Sequence, residues 1–406
     1  MENSNQFNAS RLFTASCFAL VTTAFAFAIR AGILAELATE FALSDTQLGY
    51  INQMAILGFP IATMVGGWLY NEFGPKRMMW LALSMHVLGI LMTIFAGDFW
   101  TLLLSNFFIG FGNGTVEAAC NPMISNMFKQ NQTTMLNKFH VWFPGGIFIG
   151  ALISQFMKDM GWQAQIAVML VPTAIYAYLF WGQKFPDRAS SGQASISDNL
   201  KGIFSPLYLF MIVCMVLTAN TELSTQQWVE RLLAKVGGAE PMIILALVTG
   251  LMAVGRYFAG PVVHRLNPVG VLWGGAIISV IGIYMMSNAS GAMTYVAAIL
   301  FAIGVCYFWP TMLGFTGEYI PKSGALGMSL MGGAGMFATA IAQPFVGNWI
   351  DTARASAESQ GLTGDAAARV AGQVTLQHLL VFPIILVVLF GGLWFYMRNR
   401  KPEHVV

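Results

Sequence analysis

Asn113-Gly-Thr-Val-Glu-Ala-Ala-Cys-Asn-Pro122 lies inside a long apolar run, residues 100–127, and carries one carboxylate, Glu117. A run of that length can cross a hydrocarbon core roughly 30 Å thick, which needs about 20 helical residues. Counted back from Lys129, the next charge downstream, Glu117 is 12 residues (129 − 117) or roughly 18 Å along a helix axis, close to the midplane. A carboxylate there is costly, and such residues face a bundle interior or an aqueous path. Glu117 therefore reads as the marker of an ion or solute path, or as a protonated clamp hydrogen-bonded between helices.

The rest of the chain agrees with a membrane setting. Of 406 residues, 56% are hydrophobic and only 9% charged, with a mean hydropathy of +0.65, against about 25% charged in a soluble domain. The 42 glycines, many inside apolar segments, suit close packing of transmembrane helices. The alternating segments of a membrane barrel are absent, so the fold expected is an all-α membrane bundle. The formal charge is +2 and the 20 basic residues form no stripe, which implies no nucleic-acid partner. Cys17, Cys120, Cys214 and Cys306 sit in separate apolar runs without metal-ligand spacing and read as packing residues; no metal or cofactor is expected. The first apolar run lacks the cleavage site of a signal peptide and is expected to be retained as a helix.

Twelve runs meet the spanning criterion. The first six cover residues 12–36, 46–70, 78–97, 100–127, 134–157 and 163–183, and the second six 204–229, 241–263, 269–287, 292–318, 323–350 and 374–397. The expected architecture is two pseudo-symmetric six-helix bundles, 1–185 and 204–406, joined by a polar linker over 186–203. The Ala-rich stretch Asp351 to Gln373 is expected to form a short helix on the outer surface. With both termini inside, 13 basic residues fall on the cytoplasmic side. Five (Lys158, Arg231, Lys235, Arg354, Arg369) fall outside, and Arg30 and Arg256 lie within helices. That bias places both termini in the cytoplasm, in a bacterial inner membrane. The loop Gly67 to Arg77 also returns 193 positions later (260 − 67) as Gly260 to Pro268. Six plus six helices with a repeated loop is transporter architecture, with the solute bound at the midplane.

Gly67-Trp-Leu-Tyr-Asn-Glu-Phe-Gly-Pro-Lys-Arg77 resembles the loop signature of the major facilitator superfamily, Gly-x-Leu-Ala-Asp-Arg-x-Gly-Arg-Lys-Arg, which forms a cytoplasmic latch in that family. The resemblance assigns gating to Gly67, Asn71, Gly74 and Arg77. The chain departs from the signature with Asn71 at the acidic position, Glu72 at a basic one, and Pro75. A narrower resemblance is to the fucose:proton symporters, whose fourth helix carries Glu-Thr-Ala-Ala-Asn-Pro. Here Glu117-Ala-Ala-Cys-Asn121-Pro122 is followed by Leu136-Asn137 and Phe143-Pro-Gly-Gly146, with Ala219-Asn-Thr-Glu222 in the seventh span. The resemblance implies that Glu117 contacts sugar and couples protons. Those symporters carry an Asp late in the first helix, where this chain has Ala31 beside Arg30.

The candidate binding set is Glu117, Asn121, Asn137, His140, Glu222, Gln226, Gln227, Trp309 and Arg30. A carboxyl group whose surroundings alternate between dry and wet binds and releases a proton with the change, which suits Glu117 or Glu222 as carrier. Asn220, Gln226, Gln227 and Trp228 offer donors, acceptors and an aromatic face to sugar hydroxyls. Arg30 reads as an anion clamp, a glutamate's partner or a snorkelling residue. His140 reads as a titrating group or an interhelical donor, and Trp309-Pro310 as a break in the tenth helix. Arg256 is expected to bond a helix end. The expected function is proton-coupled transport of a small polar solute, foremost a sugar, by a monomer in the lipid bilayer. Organic-anion carriage through Arg30, sugar uniport and drug export are the alternatives within transport. No metalloprotease motif, phosphate-binding Gly loop or activated nucleophile appears, so no enzyme is expected.

Overall fold

The computed structural model describes residues 7–128, 132–186, 201–233 and 239–398, and all regular structure among them is helical. Among the described residues, ten helices are long and apolar enough to cross a membrane. In chain order the bundle helices are α1 (Ala9–Glu40), α2 (Asp45–Gly66), α3 (Glu72–Ile94), α4 (Phe99–Met127), α5 (Lys138–Phe156) and α6 (Trp162–Phe180), then α7 (Pro206–Gln227), α8 (Pro241–Tyr257), α9 (Arg265–Asn288), α10 (Ala292–Tyr319), α11 (Leu326–Ser359) and α12 (Gly364–Met397). Two of these lie outside the ten. The α8 helix is 17 residues long; α4 is long enough, but Asn106, Asn113, Glu117 and Asn121 interrupt its apolar run.

Contacts divide the chain into two units, Met1–Leu43 with Tyr50–Ser191, and Ser44–Gly49 with Gly192–Val406. In the first unit α1 packs against α4, α5 and α6. Its core holds Leu12, Leu20, Met79, Val116, Met123, Phe139 and Tyr176. In the second unit α9 packs on α10 and α12, and α11 on α7 and α12. Large apolar side chains exposed around the bundles, such as Phe95, Phe156, Val388 and Phe395, are what helices bathed in lipid present.

The repeated stretch joins two helices in each half through a sharp break. Between α2 and Ile94 the backbone leaves the helical region at Gly74 (φ 72°, ψ 169°), and between Ala259 and Asn288 it does so at Asn267 (φ 54°, ψ 165°). The breaks are again 193 positions apart (267 − 74) and each precedes a proline, Pro75 or Pro268. Proline's ring excludes the preceding residue from the helical region. Gly and Asn are the residues that tolerate the positive φ adopted instead.

The Ala-rich stretch after Asp351 forms no separate surface helix. The α11 helix continues to Ser359 and α12 begins at Gly364, because alanine favours helix propagation. The turn between them uses Gly361 (φ 88°) and Gly364 (φ 56°). Most of the expected linker, 187–200, lies outside the described residues.

Candidate functional site

The α4 helix begins at an Asp98 cap, whose carboxylate accepts from the Thr101 amide (2.7 Å) and hydroxyl (2.8 Å). Those bonds hold the Asp98 pKa below its usual value, so the charged cap persists as pH falls through the ordinary aspartate range and is lost only below it. About five turns on, Glu117 and Asn121 share a face at i,i+4 spacing. The Asn121 Nδ2 donates to Glu117 Oε2 at 3.4 Å, and Asn121 Oδ1 lies 3.1 Å from His140 Nε2. His140 closes the helix Gln132–His140, one residue before the helix resumes at Trp142. Glu117 and Asn121 are half-buried and His140 exposed. Three residues singled out in the sequence thus form one chain of donors and acceptors across α4 and the start of α5. Gly67, Asn71 and Asn137 lie in helical backbone, but their side-chain surroundings fall outside the described set.

Arg30 is 3% exposed, which rules out snorkelling. Its Nε donates to Asn52 Oδ1 at 2.9 Å, and its guanidinium lies 5.2 Å from the centre of the Phe27 ring. A second buried polar group in the first unit escaped sequence reasoning. His86 lies 2.9 Å from Asn113 Oδ1 through Nε2 and 3.0 Å from the Tyr176 hydroxyl through Nδ1. An amide oxygen only accepts, so Nε2 carries the proton and Nδ1 accepts from Tyr176. A lone histidine amid the apolar residues of α3 was the available signal.

In the second unit, α7 loosens into a π-helical turn over Asn220–Ser224, a feature frequent at functional sites. It carries Glu222, 6% exposed, and Arg256 Nη2 pairs with Glu222 Oε1 at 3.2 Å. The origin of Arg256's second bond is legible in the sequence. Pro310 has no N–H and clashes with the carbonyl four residues earlier, which is Cys306. The α10 helix accordingly breaks between Val305 and Phe308, and Arg256 Nε donates to the freed Cys306 carbonyl at 2.8 Å. Gln226 is turned away toward Met252 Sδ (3.4 Å), and Gln227 is buried. Trp309 is half-buried beside Gly332, where a Cβ would lie 3.5 Å from the indole. Gln343, absent from the candidate set, accepts from Trp228 Nε1 at 2.9 Å and donates to Ser224 Oγ at 3.4 Å. The signal for it was an amide beside Pro344 in an apolar helix.

Residues 16–343 match the sequence pattern of the family described as Major Facilitator Superfamily. The chain belongs to that superfamily. Its relatives include the 3-(3-hydroxy-phenyl)propionate transporter of Escherichia coli (strain K12), 25% identical over 288 residues, 68% of this chain and 71% of that protein. The sphingosine-1-phosphate transporter SPNS2 of Danio rerio is 26% identical over 170 residues, 40% of this chain, and the match spans about a third of that relative's length (34%). The hexuronate transporter of Bacillus subtilis (strain 168) is 24% identical over 144 residues, 35% of this chain and 34% of its own. Among solved structures, a bacterial homologue of the human lysosomal transporter Spinster superposes with a TM-score of 0.79 at 14% identity, covering 98% of this chain and 99% of that one. The nucleoside transporter NupG superposes with a TM-score of 0.76 at 10% identity, covering 95% of this chain and all of that one. The superfamily member is therefore a multi-pass membrane protein of the transporter fold. The narrower resemblance to fucose:proton symporters goes unmatched by these relatives, which are named for other solutes.

Proposed function

We propose that this superfamily member is a proton-coupled symporter of a small polyhydroxylated solute, a sugar or sugar derivative, working by alternating access as a monomer. The reading takes α1–α12 as twelve spans in two halves, 1–185 and 204–406, with both termini in the cytoplasm of a bacterial inner membrane. The observation that carries it is the chain Glu117–Asn121–His140. A carboxylate, an amide and an imidazole at hydrogen-bonding distance supply the mixture of acceptors and donors that vicinal hydroxyls need. Two of them, Glu117 and Asn121, are only half-buried on a helix whose polar residues Ser105, Asn106, Asn113 and Thr115 are buried. Glu117 has the Asn121 amide as its partner, whereas Glu222 is paired with the cation of Arg256. We therefore assign the coupled proton to Glu117 and a structural role to Glu222, whose pair with Arg256 holds α7 to α8 and α10.

A second reading, carriage of an organic anion, is favoured by Arg30. A buried cation on α1, bonded to an amide, recognises carboxylates when they can reach it. Three relatives are named for acids: the phenylpropionate and hexuronate transporters and the cis,cis-muconate transport protein of Acinetobacter baylyi. A uronate combines both chemistries.

Uptake into proteoliposomes separates the readings. Labelled neutral sugars, uronates and aromatic acids are offered with and without an inward proton gradient, to wild type, Glu117→Gln and Arg30→Gln. The symporter reading expects gradient-dependent accumulation of a sugar or uronate, lost at least tenfold in Glu117→Gln while exchange without a gradient survives. Accumulation confined to acids lacking hydroxyls, and lost only in Arg30→Gln, overturns it in favour of the second reading.

A further inference from the structure

Asn113 is 1% exposed, and its Nδ2 has no hydrogen-bond partner among the described residues. A buried donor left without an acceptor costs about 1–3 kcal/mol, so its place in the fold needs an explanation. The other end of the same amide is engaged. Tyr176 on α6 donates its hydroxyl to His86 Nδ1 on α3 at 3.0 Å, and His86 donates from Nε2 to Asn113 Oδ1 at 2.9 Å. Both bonds run in one direction, from the Tyr176 hydroxyl toward Asn113. Bonds aligned head to tail polarise one another, and the group at the end of this series is the unspent Nδ2.

Glu117 is the acceptor within reach. Cβ atoms four positions apart on a helix are about 6 Å from each other, and a helical side chain leans toward the N-terminus, over the residue one turn before it. The lean brings Asn121 Nδ2 to Glu117 Oε2 at 3.4 Å. By the same rule Glu117 leans toward Asn113. The contact with Asn121 is longer than the roughly 2.7–3.2 Å of a good N–H···O bond, so the carboxyl group is loosely held there. Turning from Asn121 to Asn113 exchanges a half-buried partner for a buried one. All of these residues belong to the first unit.

We propose that Asn113, held by His86 and Tyr176, is a second donor for Glu117 and receives its carboxylate once Glu117 has released its proton to water. His86 and Tyr176 are positioning residues, since they act only through Asn113. The inference rests on the assignment of the coupled proton to Glu117, but its test follows the carboxyl group itself and needs no solute. A solute panel that fails in flux assays and a donor chain that fails here are therefore told apart.

Infrared difference spectra of the full-length protein in liposomes, recorded across a pH titration, report carboxyl C=O bands, and the band missing from Glu117→Gln belongs to Glu117. In Asn113→Leu the pH at which that band is half lost is expected to rise by about one unit, because a hydrogen bond to the charged form favours it. His86→Leu should move it the same way by less. His86→Gln keeps an N–H donor in place of Nε2 and should stay with the wild type. Other titratable groups about Glu117 are unaltered in these variants: Cys120 on α4 with Cys17 of α1 beside it, and His140 through Asn121. An equal midpoint in Asn113→Leu and wild type overturns the proposal. So does a wild-type band that never titrates, for there is then no carboxylate to receive. Should Asn113→Leu not fold, the histidine pair decides. A His86→Leu protein that melts earlier yet titrates like the wild type overturns the proposal and leaves a structural network alone, and so does a His86→Gln midpoint displaced as far as that of His86→Leu.

Discussion

At the scale of residues, several buried polar side chains are held by specific partners on other helices. His86 is the clearest case. Both ring nitrogens are used, by Asn113 and Tyr176, and Gly112 leaves room for the ring, since a Cβ there would strike it. His86→Leu strands the Tyr176 hydroxyl and the Asn113 carbonyl in an apolar interior, at a loss of about 1–2 kcal/mol. Thermal unfolding in detergent should register a lower midpoint. Tyr176→Phe should cost less, and the double variant less than the sum of the two singles, because the groups share one network. Equal midpoints for wild type and His86→Leu would show that the network carries no stability. The sequence displayed Asn113, Glu117 and Asn121 on one helix, and the i,i+4 pair could be read directly. It could not display that His86, 27 residues before Asn113, fills the space beside it, because contact between helices has no local signature.

At the scale of elements, glycine and proline decide how close helices come and where they break. Along α2 and α4, a Cβ on Gly58 would lie 2.5 Å from the Phe111 nitrogen and 2.6 Å from the Phe107 carbonyl, while Gly110 and Gly114 lie against the Ala55 and Phe59 carbonyls. Small residues on both helices let the backbones touch, the packing that lipid-embedded helices rely on. Gly110→Val drives a branched side chain into the Ala55 backbone and is expected to cost about 1–3 kcal/mol as overpacking. It should also move Glu117, two turns further along α4. A fall in both folded yield and uptake is expected, and wild-type behaviour in both would refute the close contact. Prolines were legible in advance. Pro310 announced the break in α10, whereas Pro75 and Pro268 stood in stretches read as connecting loops. Which group answers a freed carbonyl was not legible: Arg256 reaches Cys306 from another helix, 50 positions away.

At the scale of the whole molecule, composition and charge set the relation to the membrane. Thirteen basic residues against five favour cytoplasmic termini. A fluorescent protein fused to the C-terminus is expected to fluoresce in cells, and an alkaline phosphatase fused at the same point to be inactive. The opposite pair of results would invert the topology. Arg231 and Arg354 come from the minority of five, and both are engaged by Asp45. Their count therefore reflects a specific structural task as well as topology.

The sequence by itself determined that the chain is helical, membrane-spanning and internally repeated. Those properties follow from the length of apolar runs, from spacing and from proline, all local along the chain. It also nominated Glu117, Asn121 and Glu222, since a polar group in an apolar run is visible without coordinates. The tertiary structure decided their partners. Glu117 is linked to an amide and Glu222 to an arginine, His86 is locked between two helices, and Asp45 is held by arginines 186 and 309 positions away. Such pairings arise when desolvated charges and hydrogen-bonding groups must find one another across helices, and chain order does not encode which helix will stand alongside.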